Sequence, residues 1–321
     1  MLELASKVEK LKSIIRDQKV GILFPGQASQ YKSMGTDWYN SSKKFKEIFD
    51  YINSKIISDY REFLDSDLFG ILEDEQKINV TLYSQISIFS VSVACYEAMK
   101  ETLEQVYHVL AGHSLGEYSA LVCSECISID DGIDLVVKRG YYMHNYSKDG
   151  TMFAVIYSFD SDSILLIERL VSQYNSVVAN YNSYSQLIIS CSLEVVEDLK
   201  GIVKKEFPGA KIIPLRVSGG FHSYLVNQAN EMLKNEIEKV VFKKPRIPIY
   251  ISSERVDDPV TIKELMKEQM IKPVNWIRTI ENISKECSVM IEILPNRVLT
   301  NLCRKGFPSN IASISYSLED I

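Results

Sequence analysis

A serine between two glycines is the residue of this chain best suited to act as a nucleophile. Residues 112–116 read Gly-His-Ser-Leu-Gly, which matches the pattern G-x-S-x-G, with an apolar run before it and a helical pattern after it. In a strand–turn–helix context this pattern makes a sharp turn that exposes the serine hydroxyl. A serine hydroxyl is a weak nucleophile alone, so Ser114 requires a general base within hydrogen-bond distance.

His222 is the best candidate for that base among the four histidines of the chain. It lies in the turn Ser-Gly-Gly-Phe-His-Ser at residues 218–223, where the histidine can be held at the edge of a cleft. His108 falls in a strand pattern, His113 lies inside the serine turn, and His144 lies near the end of a helical pattern. At this level an ordinary surface position for His222 stays open.

A second glycine turn follows the first apolar run, at Pro25-Gly26-Gln27. Backbone N–H groups of this turn, together with the N–H of Leu115, could form an oxyanion hole. Taken alone, Pro-Gly indicates only a turn.

The elements that must position these residues alternate between strand and helix, which predicts an α/β fold with a mainly parallel sheet. Strand patterns cover residues 19–24, 106–112, 152–157, 186–190, 211–217, 247–252 and 289–294. Helical patterns cover residues 2–18, 41–50, 85–103, 129–146, 160–175, 193–206, 223–239 and 261–271. Residues 150–216, entered after Lys148-Asp149, read β-α-β-α-β and predict a small inserted domain that closes a cleft against the rest.

The composition is that of a globular protein. The chain has 321 residues, of which 46% are hydrophobic and 24% charged, so it can bury a core and is not mainly disordered. Lys and Arg number 36 and Asp and Glu number 42, which gives a net charge of −6. This balance disfavours a dedicated nucleic-acid binder, which usually presents a basic face.

Two further features have structural rather than functional interpretations. Residues 78–96 carry no charge over a length that could span a bilayer, but their many serines and amides predict a buried helix and no membrane association. Cys123 and Cys126 lack the second ligand pair of a zinc site and are expected to pack as small apolar residues. Residues 1–18 are charged at helical spacing, unlike a signal peptide, and the free cysteines fit a reducing cytoplasm.

Together these motifs resemble the malonyl-CoA:acyl-carrier-protein transacylases, including the acyltransferases of polyketide synthases. The resemblance covers about residues 19–305. The motifs that carry it are Phe24-Pro25-Gly26-Gln27, Gly112-His113-Ser114-Leu115-Gly116-Glu117, Lys138-Arg139-Gly140, Gly150-Thr151-Met152-Phe153-Ala154-Val155, Asn180-Tyr181-Asn182-Ser183, Phe221-His222-Ser223, residues 269–276 and residues 297–302.

The resemblance implies an α/β-hydrolase-like catalytic domain with a parallel sheet, formed by residues 1–149 and 217–321. It implies a ferredoxin-like small domain at 150–216 and leaves residues 1–18 as an extra N-terminal helix. It also implies a ping-pong reaction in which Ser114, with His222 as base, takes a malonyl group from malonyl-CoA. The phosphopantetheine thiol of an acyl carrier protein then accepts that group.

The remaining site residues follow from the same resemblance. The oxyanion would be held by the N–H groups of Gln27 and Leu115, and a backbone carbonyl near Gln269 would orient His222. Arg139 would bind the free carboxylate of the malonyl group, because a guanidinium pairs with a carboxylate through two hydrogen bonds.

Three more residues would line the substrate site. Phe221 resembles the bulky residue of malonyl-selective members, which crowds a 2-methyl branch. Asn180 and Asn182 lie on the small domain, where the family contacts coenzyme A or the acyl chain.

Some positions depart from the family pattern. Ala28 stands where a glycine is usual, Tyr184-Ser185 stands where Pro-Gly is usual, and Asn296 follows Pro295 in place of glycine. These departures favour a trans-acting enzyme of polyketide biosynthesis. An alternative is a hydrolase that removes acyl groups from carrier proteins, which would share Ser114 and His222 without needing an arginine. A non-enzymatic docking module is a third alternative.

The sequence gives no metal or redox cofactor, and the protein is expected to be a cytoplasmic monomer. Its expected partners are malonyl-CoA and an acyl carrier protein, without nucleic acid or membrane. Because carrier proteins are acidic, docking would require a local basic patch. Arg297, Arg304 and Lys305 are candidates for it.

Overall fold

The computed structural model describes residues 2–103, 107–147 and 149–319, so Val106 and Lys148 of the sequence analysis lie outside the described residues. The helices are α1 Leu2–Ile15, α2 Thr36–Ser41, α3 Lys43–Asp59, α4 Leu68–Glu73, α5 Thr81–Leu103, α6 Gly116–Cys123, α7 Ile129–Asn145, α8 Ser161–Ser172, α9 Val196–Glu206, α10 Asn227–Lys239, α11 Pro259–Glu268, α12 Trp276–Glu286, α13 Val298–Gly306 and α14 Ser309–Ala312. The strands are β1 Val20–Phe24, β2 Val109–Gly112, β3 Gly150–Ile156, β4 Val177–Ser183, β5 Gln186–Ser192, β6 Lys211–Pro214, β7 Ile249–Ile251, β8 Glu254–Val256, β9 Val274–Asn275, β10 Val289–Glu292 and β11 Ser315–Ser317.

The first sheet has the strand order β11-β10-β1-β2-β7-β8. Its strands are parallel except for β8, which forms a hairpin with β7. Phe24 at the end of β1 lies opposite Gly112 at the end of β2. The Pro25-Gly26-Gln27 turn and the serine turn therefore leave the same edge of the sheet side by side, where ligands of parallel α/β sheets bind.

Helices cover both faces of this sheet, as its alternating buried residues require. Ile22 and Phe24 of β1 pack into the larger core, and Leu23 packs into a smaller core on the opposite face. The long helix α5 packs against α3 and α7 inside the larger core.

The predicted buried helix within residues 78–96 is confirmed. Most of that stretch lies in α5, whose polar Ser84, Gln85 and Ser92 are all fully buried. In the described part of the chain no helix combines the length and apolarity that crossing a bilayer requires. Cys123 and Cys126 are buried free thiols, as expected for residues that pack as small apolar side chains.

The second sheet has the order β6-β3-β5-β4-β9. Its first four strands come from residues 150–214, and their pairs are antiparallel. The segment runs β-α-β-β-α-β, so the predicted order β-α-β-α-β was wrong by one strand, β4. The sequence pattern hides β4 because Asn180, Tyr181 and Asn182 interrupt its apolar run. These residues belong to an interior strand whose two asparagines line a cleft.

The second sheet contacts the rest of the structure along β4. Val274 and Asn275 of β9 pair in parallel with β4, although they lie outside residues 150–216. The β4–β5 turn also reaches across, since Tyr184 donates its backbone N–H to Gly306 and its hydroxyl to Glu281 Oε1 at 2.6 Å. The cleft between the sheets thus has one wall on β3–β5 and another on the ends of the parallel strands.

Candidate active site

Ser114 lies in the turn between β2 and α6, with a backbone φ of +53°. A side chain at Gly112 would place its Cβ 1.9 Å from the carbonyl carbon of Gly116. A side chain at Gly116 would place its Cβ 2.1 Å from the Phe24 carbonyl oxygen. Only glycine fits at both positions, so the tight turn that raises the Ser114 hydroxyl into the cleft is a consequence of G-x-S-x-G.

His222 is brought to Ser114 from 108 residues further along the chain. Its Nε2 lies 2.8 Å from Ser114 Oγ. Its Nδ1 lies 2.9 Å from the carbonyl oxygen of Lys272 and 3.2 Å from that of Gln269. Two carbonyl acceptors at Nδ1 require the proton there, so Nε2 is the free acceptor that faces the serine hydroxyl. The resemblance implied a carbonyl acceptor near Gln269, and the structure has a second and closer acceptor, the carbonyl oxygen of Lys272.

His222 is neutral at physiological pH. Burial and, after it, the positive charge of Arg139 lower the pKa of His222 to about 3, although the two carbonyl acceptors oppose both effects. A neutral imidazole with a free Nε2 can accept the serine proton, which is the requirement for a general base.

The first turn supplies backbone N–H groups near the serine. Gly26 packs so closely on the serine turn that a Cβ there would lie 2.4 Å from the His113 carbonyl oxygen. Within the described residues, no hydrogen bond uses the backbone N–H of Gln27 or of Leu115. Both donors thus stay available for an oxyanion, while Ala28 beside them has a φ of +74°.

Arg139 is fully buried on α7, and its guanidinium reaches the nucleophile. Its Nη2 lies 3.1 Å from Ser114 Oγ and 3.4 Å from Gln269 Oε1, and its carbon Cζ lies 5.5 Å from the ring centre of Tyr118. No carboxylate of the described chain forms an ion pair with it. Burial lowers the pKa of Arg139, so an anion bound beside it would relieve the cost of an unpaired buried charge.

Gln85 is a site residue that the sequence analysis did not single out. Its Oε1 accepts from Arg139 Nη1 at 2.5 Å, and its Nε2 donates to Gln27 Oε1 at 3.4 Å. Gln85 thus orients the guanidinium and ties it to the loop that carries the Gln27 amide. Its signal was a glutamine within the uncharged stretch at residues 78–96, where a fully buried amide needs partners.

Gln269 contributes through both its backbone and its side chain. Besides its carbonyl contact with His222, its Nε2 donates to the Ser114 carbonyl oxygen at 2.7 Å. The residue therefore braces the serine turn and the histidine ring together.

The cleft that opens at Ser114 and His222 has a volume of about 470 Å³. Asn180, Asn182 and Phe221 line it, as the sequence analysis predicted for substrate contacts. Asn182 Oδ1 lies 2.8 Å from His113 Nε2, which links the second sheet to the serine turn. Arg216, an exposed residue that the sequence analysis did not consider, lies on the cleft wall.

Comparisons with known proteins show the family of this chain. A family model described as acyl transferase domain matches residues 22–317. The malonyl CoA-acyl carrier protein transacylase of Bacillus subtilis (strain 168) is 32% identical over 296 residues, which cover 89% of this chain and 90% of the relative.

Solved structures give the same result. An acyl carrier protein S-malonyltransferase from Vibrio cholerae is 30% identical with a TM-score of 0.80, covering 93% of this chain and 96% of that one. A malonyl-transacylase in complex with its type II polyketide synthase acyl-carrier protein is 28% identical with a TM-score of 0.81, covering 93% and 94%. The chain therefore belongs to the acyltransferase family that includes the malonyl CoA-acyl carrier protein transacylases.

Proposed function

We propose that this protein transfers a malonyl group from malonyl-CoA to the phosphopantetheine thiol of an acyl carrier protein. The observation that carries the proposal is the buried guanidinium of Arg139, whose Nη2 lies 3.1 Å from the nucleophile Ser114 Oγ. No carboxylate of the described residues forms an ion pair with this guanidinium. A cation at that distance suits an acyl group that carries its own carboxylate. The curated relative from Bacillus subtilis has this activity in its name.

In the first half-reaction Ser114 Oγ attacks the thioester carbonyl carbon while its proton passes to His222 Nε2. The carbonyl oxygen becomes an oxyanion that accepts from the N–H groups of Gln27 and Leu115. One such donor typically accounts for about 3–4 kcal/mol of transition-state stabilisation. The carbon–sulfur bond then breaks, and His222 returns the proton to the departing coenzyme A sulfur.

The second half-reaction reverses these steps with a different thiol. The carrier's thiol gives its proton to His222 Nε2 and attacks the malonyl-serine ester. The tetrahedral intermediate collapses by breaking the bond to Ser114 Oγ, which takes the proton back. No acidic third residue is needed, since the carbonyl oxygens of Gln269 and Lys272 hold the ring in the required tautomer.

Arg139 also bears on the hydrolase alternative. A hydrolase that clears uncharged acyl chains gains nothing from a buried guanidinium beside its serine, whereas a malonyl carboxylate would form two charge-assisted hydrogen bonds with it. Phe221, Asn180 and Asn182 would line the path of the pantetheine arm, whose apolar stretches match the aliphatic walls of the cleft.

The architecture fits the same proposal. We interpret the part of the chain at 1–149 and 217–321 as the α/β-hydrolase-like catalytic domain and residues 150–216 as the ferredoxin-like small domain. The β-α-β-β-α-β order and the antiparallel strand order β6-β3-β5-β4 support the second assignment. We also propose a trans-acting role in polyketide biosynthesis, supported by Ala28 and Tyr184 at positions where the family pattern differs.

Intact-mass spectrometry tests the proposal. The protein is mixed briefly with malonyl-CoA, methylmalonyl-CoA or acetyl-CoA, followed by a carrier protein in its phosphopantetheinylated form, with Ser114→Ala as control. We expect a malonyl adduct that forms fastest, requires Ser114 and moves to the carrier. An adduct that forms only from acetyl-CoA, or one that is lost to water at the same rate with and without carrier, would support the hydrolase instead.

A further inference from the structure

A strained turn lies behind the serine turn, between β7 and β8. Ile251 pairs with Glu254, so Ser252 and Ser253 form a two-residue hairpin loop. Their φ angles are +50° and +70°. Asparagine and glycine are the usual residues in such loops because other side chains are strained at positive φ. Two serines persist in this conformation only if contacts around them hold it.

Glu117 supplies one of those contacts. It follows Gly116 on α6, is 6% exposed, and accepts the Ser252 backbone N–H on Oε1 at 2.7 Å. Burial raises the pKa of Glu117 to about 7, although the Ser252 hydrogen bond, the side chain of Gln269 and the charge of Arg139 oppose that rise. The proposed mechanism assigns no role to this buried carboxyl group, although it lies three residues from the nucleophile.

The turn also forms hydrogen bonds with the segment at residues 272–275, which contacts His222. Ser253 Oγ donates to the Asn275 carbonyl oxygen at 2.7 Å, and Thr279 Oγ1 donates to Ser253 Oγ at 3.1 Å. Asn275 ends the short stretch that begins at Lys272, whose carbonyl oxygen accepts from His222 Nδ1 at 2.9 Å. Hydrogen bonds and three peptide units thus connect Glu117 to the imidazole.

We propose that Glu117 is a positioning residue for His222: its carboxyl group holds the Ser252–Ser253 turn, and the turn fixes the Lys272 carbonyl oxygen, the closer of the two that orient the imidazole. The inference rests on the proposed pairing of Ser114 with His222. It requires an acceptor oxygen at residue 117, and it does not require a charge there.

The test compares Glu117→Ala, which removes the acceptor, with Glu117→Gln, which keeps one. In single-turnover acylation by malonyl-CoA we expect Glu117→Ala to lower the maximal rate about 10- to 100-fold, the scale of a small misplacement of a catalytic group. The half-saturating malonyl-CoA concentration should change less than twofold, and Glu117→Gln should recover most of the rate.

The pH profile gives a readout that a purely structural role would not move. The two carbonyl acceptors at Nδ1 raise the pKa of His222. Burial and the neighbouring Arg139 and His113 lower it. Looser carbonyl contacts in Glu117→Ala should therefore lower the pKa of His222 and move the acid limb of the rate to lower pH. An acid limb at the wild-type position, together with a wild-type rate, would overturn the proposal.

A matched control separates positioning from stability. Asn53 is a buried side chain away from the cleft whose Oδ1 accepts the Leu68 backbone N–H at 2.8 Å, so Asn53→Ala removes the same kind of bond. We expect it to destabilise the protein without slowing acylation; an equal slowing would assign the effect to stability. Should Glu117→Ala fail to fold, Ser253→Ala breaks the next link and should give the same kinetic pattern.

Labelling of Ser114 by a fluorophosphonate keeps the two proposals apart. This reagent needs the Ser114–His222 pair and no malonyl site. If malonyl-CoA fails to acylate the wild type while labelling of Glu117→Ala is still slow, the proposed function fails and the positioning role stands. Labelling of Glu117→Ala at the wild-type rate overturns the positioning role.

Discussion

Replacing Arg139 by glutamine removes the cation assigned to the malonyl carboxylate and leaves Ser114 and His222 in place. The guanidinium is fully buried, so the substrate carboxylate would lose its partner in a site with little water. Truncating one partner of a buried charge pair costs about 2–5 kcal/mol. At about 1.4 kcal/mol per tenfold, a loss of roughly 3–4 kcal/mol lowers kcat/KM for malonyl-CoA roughly 10²- to 10³-fold.

The informative quantity is the ratio of kcat/KM for malonyl-CoA to kcat/KM for acetyl-CoA. Acetyl-CoA has no carboxylate, so its kcat/KM should fall only a few-fold, through loss of the 3.1 Å contact between Nη2 and Ser114 Oγ. The assay follows coenzyme A release with a thiol reagent for each substrate. Lys138→Gln is the matched control, because the neighbouring cation pairs with Asp134 and Glu236 and has no contact with the nucleophile.

A second consequence concerns the histidine. Arg139 is the largest charge effect that lowers the pKa of His222, so the glutamine variant should raise that pKa and move the acid limb of kcat/KM to higher pH. A parallel loss of kcat/KM for malonyl-CoA and acetyl-CoA would refute the role assigned to Arg139. So would a Lys138→Gln variant that changes the ratio of the two values as much as Arg139→Gln does.

Three other predictions concern different parts of the site. Because the pKa of His222 is lowered to about 3, kcat/KM should stay level from pH 8 to pH 5 and fall only near pH 3–4. A fall in kcat/KM with its midpoint near pH 6.5 in stopped-flow profiles would contradict the burial of this ring. Ala28→Gly should stabilise the protein by about 1 kcal/mol in urea unfolding, since alanine is strained at a φ of +74°. A lower urea midpoint for the variant would show that the contacts of the Ala28 methyl group outweigh the strain. Arg216→Ala should raise KM for malonyl-CoA and for the carrier a few-fold with kcat unchanged, because an exposed cation on the cleft wall can attract the phosphate that both substrates carry. If steady-state assays give the variant the same KM values as the wild type, that contact is excluded.

Much of the fold was predictable because its signals are local. The apolar runs that became β1, β2 and β10 lie in the centre of a parallel sheet, where both faces are buried and nearly every residue is apolar. The strand patterns at residues 152–157, 186–190 and 211–217 match β3, β5 and β6, but β4 was missed, because an interior strand with cleft-lining asparagines lacks an apolar pattern. The helices α12 and α13 were also missed.

The amino-acid sequence by itself determined the serine turn and the family resemblance. Gly112 permits a turn that any side chain would block, because its Cβ would meet Gly116 and Glu117 only a few residues away. Only the tertiary structure decided what surrounds the nucleophile. The Lys272 carbonyl at His222, the Gln85 amide at Arg139 and the Glu117 contact to Ser252 join residues 50 to 135 positions apart. No local pattern encodes such contacts, because carbonyl and amide groups occur throughout a chain and only packing selects which of them meet.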